Sequence, residues 1–187
     1  MMTKETEKYI ASKIHMWVWS GFYSRDDVNE NLNDILEEDV DEAKLRQLIA
    51  EEFSAKLTQE LNWPITTDCD RLDLVFRELN NAKVIALQNT GLTMSDGLED
   101  VGMVHQQKPH GTYQGYCFYH GQDLERAVAG EGLWLAYGDM KDTDDGKAQI
   151  AKFVINTLAN NGFSCEWDGD IRKRIRIPNI SWQRRSR

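Results

Sequence analysis

The stretch GYCFYHGQDLERAVAGEGLWLAY (115–137) decides the fold. Its apolar runs, 116–119 and 133–137, lack polar alternation, the pattern of central strands covered on both faces. Between them, 122–129 reads as a short helix bounded by Gly121 and Gly130. The three pieces make a compact β-α-β unit, expected to be parallel and right-handed. Upstream, 84–87 has the same two-sided apolar character. Downstream, the acidic run 142–145 opens a helix with Ile150, Val154 and Leu158 inward, ended by Asn161-Gly162.

The chain then reads as a terminal β-hairpin of 163–167 and 171–177. Phe163, Cys165 and Trp167 share one face, as do Ile171, Ile175 and Ile177. These faces align only across an odd-numbered loop, which favours Asp168-Gly169-Asp170. Arg172, Arg174 and Arg176 then gather on the opposite face.

The first eighty residues carry helical spacing. Ile10, Ile14, Trp17 and Val18 form one stripe that Gly21 ends; Ser24 caps a second, with Val28, Leu32, Ile35 and Leu36 inward. A third helix, 41–62, turns Leu45, Leu48, Ile49, Phe53, Leu57 and Leu61 to one side and stops at Pro64. A fourth, 68–81, leads into the first strand. The expected fold is α+β: an N-terminal helical region, 1–63, then a ferredoxin-like (split β-α-β) sheet domain, 64–187, ending in a β-hairpin.

The net charge of −9 opposes attraction to nucleic acid or anionic lipid. It is unevenly spread: residues 171–187 hold seven Lys or Arg and no acid. Cys69, Cys117 and Cys165 form no Cys-x-x-Cys pair, so neither a disulfide framework nor a thiolate metal site is expected. MMTKETEKYI lacks secretory-signal features, and no apolar run is long enough for a bilayer, so a cytoplasmic protein is expected.

Residues 90–114 read as a long, glycine- and proline-rich loop with at most a helical turn or two near 96–104. Asp96, His105, His110 and His120 are the candidate ligand-binding groups, but their spacing matches no metal motif, so no metal or cofactor is expected. Cys117 and His120, three apart on a strand, point to opposite faces and make no nucleophilic dyad. Arg172, Arg174 and Arg176 are the candidate interaction surface, able to hold phosphate or carboxylate or simply to protect an edge strand. Trp17, Trp19, Phe22 and Tyr23 serve the core or a partner surface.

At TTDCDRLDLVFRELNNAKVIAL (66–87) and GYCFYHGQDLERAV (115–128), the chain resembles a bacterial family of uncharacterised proteins, over about 63–178. A weaker fold-level resemblance, through AQIAKFVINTLANNGFSCEWDGD (148–170), is to the ferredoxin-like acidic regulators of ribonuclease E. Neither resemblance assigns a catalytic residue. With no complete catalytic motif, the leading expectation is a non-enzymatic intracellular interaction or regulatory protein with a protein partner. The alternatives are a small-molecule-binding protein or hydrolase with its site under 90–114, and RNA contact through the arginines.

Overall fold

The computed structural model describes residues 2–186. Contacts divide the chain into two units, Met1–Thr67 with Gln183–Arg187, and Asp68–Trp182.

The first unit holds α1 (Met2–Ser20), α2 (Arg25–Ile35) and α3 (Glu42–Glu60). A reciprocal cap starts α2: the Ser24 hydroxyl accepts from the Asp27 N–H, and the Asp27 carboxylate accepts from the Ser24 N–H. Ile10, Ile14 and Val18 meet Val28 and Leu32 from α2 and Leu45 and Ile49 from α3 in one core, with Trp17, Trp19 and Tyr23 packed against it. The end of α3 departs from the expected stripe. Leu57 and Leu61 are 54% and 84% exposed, whereas Lys56 is fully buried. Its ammonium donates to the Val18 carbonyl at 3.0 Å, where the last turn of α1 leaves acceptors free of intrahelical bonds.

Residues 183–187 belong to this first unit. A side chain at Gly21 (φ +74°) would put its Cβ 2.6 Å from the Arg184 carbonyl oxygen. The Arg184 guanidinium lies 4.5 Å from the centre of the Phe22 ring, and Ser186 donates through N–H and hydroxyl to Glu60 at 2.8 and 3.0 Å.

The second unit runs α4 (Asp68–Asn81), β1 (Val84–Leu87), α5 (Met94–Gln106), β2 (Gly115–Phe118), α6 (Gly121–Val128), β3 (Leu133–Asp139), α7 (Asp144–Asn160) and β4 (Ile175–Ile177). The class is therefore mixed α+β. The sheet has the order β1-β2-β3-β4, with β1 and β2 parallel and the other two pairs antiparallel. On one face Ile85, Val101, Phe118 and Ala136 form a cluster under α5.

Three expectations change. First, 90–114 is not mainly loop, because Thr93 and Asp96 form a capping box that starts the thirteen-residue α5. Gly97 lets α5 approach the sheet; a Cβ there would lie 2.3 Å from the Phe118 ring. Second, the parallel crossover is β1-α5-β2, and 115–137 makes an antiparallel pair instead. The eight-residue α6 rises only about 12 Å, roughly half the ~23 Å length of β3, so it delivers the chain back near the end from which β2 left. The parallel strands are direct neighbours, whereas a ferredoxin-like sheet separates them by a strand.

Third, the terminal hairpin reduces to one bridge between Glu166 and Arg176, and β4 pairs with β3. Side-chain bonds fold 168–173 into a closed loop. Asp170 accepts from the Arg172 N–H and guanidinium, and Asp168 accepts from the Asp170 N–H and pairs with Lys173. Ile175 and Ile177 are buried as expected; Ile171 is only half-buried.

Both outer strands are closed by local groups. The Asn80 amide donates to the Ala86 carbonyl at 2.9 Å and accepts from its N–H at 3.0 Å, imitating a neighbouring strand beside β1. Glu166 exchanges both backbone bonds with Arg176 beside β4. Asn80→Ala is expected to cost about 1–3 kcal/mol by orphaning these two groups, as measured by urea unfolding.

Candidate functional site

His120 at the N-cap, Asp123 in the first turn and Arg126 in the last turn of α6 stand at i, i+3 spacing, which stacks them on one side of the helix. Backbone bonds fix where that turn starts. The Gly121 and Gln122 N–H groups donate to the Gly91 and Leu92 carbonyls at 2.9 and 3.2 Å, and the Thr90 N–H donates to the Tyr119 carbonyl at 3.1 Å. The loops at the carboxyl ends of the parallel strands β1 and β2 are thus zipped together, at the position where open α/β sheets commonly leave a crevice.

Asp123 is fully buried and His120 is 4% exposed. A buried carboxylate is costly unless paired, and this one has three cationic or polar partners. The Arg174 guanidinium donates to both of its oxygens at 2.8 Å, the His120 Nε2 lies 3.1 Å from Oδ2, and Arg126 donates to Oδ1 at 3.2 Å. The geometry favours the His120 tautomer protonated at Nε2. Its Nδ1 is then a lone pair that is buried and without a hydrogen-bond partner among the described residues. Burial, helped by the guanidinium groups of Arg174 and Arg126, pushes His120 below its ordinary value against the opposing pull of Asp123. An imidazole oriented by a carboxylate is the arrangement of a general base. Here the free nitrogen is sealed from solvent and a guanidinium stands 3.4 Å from the other one, so the cluster acts as a clamp that ties residue 174 to α6.

The four candidate ligand-binding residues divide into two pairs. Asp96 sits at the start of α5, accepting from the Thr93 and Leu92 N–H groups at 2.9 and 3.0 Å. Those bonds hold its carboxyl below the ordinary range, and His120 lies close enough to add to the effect. His105 lies in the last turn of α5 and His110 just past it, at the end remote from Asp96, and α5 rises about 20 Å over its thirteen residues. Cys117 is fully buried, and burial alone pushes its thiol far up; Cys165 is pushed up to about 11. Neither is a poised nucleophile. Among the described residues, no three His, Cys, Asp or Glu side chains gather as metal ligands do.

The three arginines are each matched by a carboxylate. Arg172 makes a two-pronged contact with Asp170 at 2.9 Å, Arg174 holds Asp123, and Arg176 meets Glu166 at 3.0 Å while lying 4.9 Å from the Trp134 ring centre. Arg174, Arg176, Lys173, Glu166, Asp168 and Trp167 line an open cleft of about 420 Å³ with mixed charge. Sequence reasoning named His120 and Arg174 but missed Asp123 and Arg126. The i, i+3 spacing of His120, Asp123 and Arg126 was a visible signal; the tie to Arg174, fifty-one residues away, had none.

A family model described as "Domain of unknown function (DUF6891)" matches residues 3–186. No curated protein and no solved structure matches the chain.

Asp123→Ala is expected to lose about 3–5 kcal/mol in denaturant unfolding, since it strands buried partners of a charge cluster. A second expectation concerns pH. Native His120 resists the proton that the unfolded chain takes up near pH 6.5, so the unfolded state binds more protons below that value and stability is lost as the pH is lowered. Unfolding free energies at pH 7.5 and 5.5 should differ less in His120→Gln than in the parent; an equal difference would show that other groups set it.

Proposed function

The chain belongs to the DUF6891 family, a domain of unknown function, and on that premise we propose that it is a non-enzymatic interaction protein, an acidic regulator that engages a basic protein surface. What carries the reading is an asymmetry of charge. All nine carboxylates within residues 26–42 are exposed, and that segment contains no Lys or Arg. The basic C-terminal segment instead spends its charge internally, on Asp170, Asp168, Asp123 and Glu166. The long-range field that a partner meets at the first unit's α2 and the turn after it is therefore negative, which speeds encounter with a positive surface and repels a negative one.

The same facts weigh against the two alternatives. RNA contact through Arg172, Arg174 and Arg176 needs guanidinium groups free to meet phosphate, and these already hold carboxylates. A ligand or hydrolytic site under 90–114 needs Asp96, His105, His110 and His120 to converge, and they lie at opposite ends of α5. A cytoplasmic setting suits the proposal, given three cysteines that form no disulfide and no helix, among the described residues, long and apolar enough to cross a membrane.

The test is affinity capture from native lysate at moderate salt with the parent chain and with a Glu37→Gln, Glu38→Gln, Asp39→Asn variant. We expect one reproducible basic protein, released by added salt and retained at least about ten-fold less by the variant. Empty capture by the parent, or equal capture by both, would sink the reading.

A further inference from the structure

The end of α5 remote from the clamp carries an imidazole pair. His105 lies in its last turn and His110 in the turn that follows, their ring centres 6.0 Å apart and their planes nearly perpendicular at 88°. Tyr113 flanks His105 at 6.3 Å. The Nδ1 of His105 is buried and has no hydrogen-bond partner among the described residues, an uncommon state for a polar atom. His110 is exposed, and at Gly111 (φ +82°) nothing stands within 4 Å of where a Cβ would be, so the backbone beside His110 is uncrowded.

We propose that His105 and His110 form a binding site for a late first-row divalent ion of the zinc, nickel or copper type, its remaining positions filled by solvent. Imidazole is a favoured ligand of these ions. With metal–nitrogen bonds of about 2.0–2.1 Å and a tetrahedral angle, two imidazoles sharing an ion place their centres roughly 5 Å apart. The observed spacing closes by under about 1 Å if the exposed His110 turns on its side chain toward His105, whose ring lies 6.3 Å from that of Tyr113. The location adds a second attraction, because the carbonyls at the C-terminal end of a helix carry partial negative charge that favours cations. No third His, Cys, Asp or Glu joins the pair among the described residues, so the site is open rather than a closed structural centre. This inference is independent of the acidic-regulator reading, since it uses neither residues 26–42 nor the arginines.

The full-length chain, stripped of metal, is titrated separately with Zn²⁺, Ni²⁺ and Cu²⁺ by calorimetry, with the imidazole resonances of all four histidines followed by NMR. The expected result is one equivalent of ion, bound most tightly for Cu²⁺, that moves or broadens the His105 and His110 signals and leaves His15 and His120 in place. His110→Gln, a change at an exposed position that the fold tolerates, should weaken binding at least about ten-fold, the scale reached by losing even an outer-shell partner. His105→Gln should do the same. Absence of binding, perturbation centred on His15, or unchanged affinity in His110→Gln would overturn the proposal, the last two marking adventitious binding elsewhere.

Discussion

The second unit is organised around one buried charge. Asp123 has no contact with solvent, and the cost of removing a carboxylate from water is met only when Arg174, His120 and Arg126 are all in place. A cluster of this kind adds little net stability over well-packed apolar side chains. What it does impose is position. The start of α6, the approach to β4 and the imidazole of His120 must all be set correctly at once, or an ion is left buried without its partners. The bonds that join the Gly91 and Leu92 carbonyls to α6 place that charge at the end of the sheet.

Helices were legible where their signals were local. Ser24 and Asp27, Asp41 before α3, and the apolar spacing of Leu72, Val75, Phe76 and Leu79 each lie within one or two turns of what they specify. Thr93 and Asp96 carried the same signal for α5, but the glycines of 90–114 masked it. Strand partners were far less legible. Apolar runs at 84–87, 116–119 and 133–137 marked the central strands, yet nothing in them states which neighbour each takes or in which direction. Parity correctly grouped Ile175 with Ile177. It failed at Ile171, because Asp168 and Asp170 capture nearby N–H groups and cations, and such side-chain bonds compete with a ladder.

The candidate residues show the same division. A run of alternating arginines reads as a basic face when only the strand is considered. In the fold each arginine meets an acid, one of them fifty-one residues earlier in the chain. Formal charge along a sequence is therefore a poor guide to the field around this molecule. The acids of 26–42 project into solvent because the inward positions of that segment are held by Val28 and Leu32, with Ile35, Leu36 and Val40 packed against the same core.

The membership of residues 183–187 in the first unit has a consequence for synthesis. The second unit is, in sequence, a long insertion between two parts of the first. Asp68–Trp182 is contiguous and can fold as it emerges from the ribosome. The helical unit begins before it and is completed after it, since Arg184 packs against Gly21 and Ser186 donates to the Glu60 carboxylate. During synthesis the helices made before the second unit therefore wait for contacts supplied from after it, and until then Gly21, Phe22 and Glu60 lack their partners from residues 184 and 186.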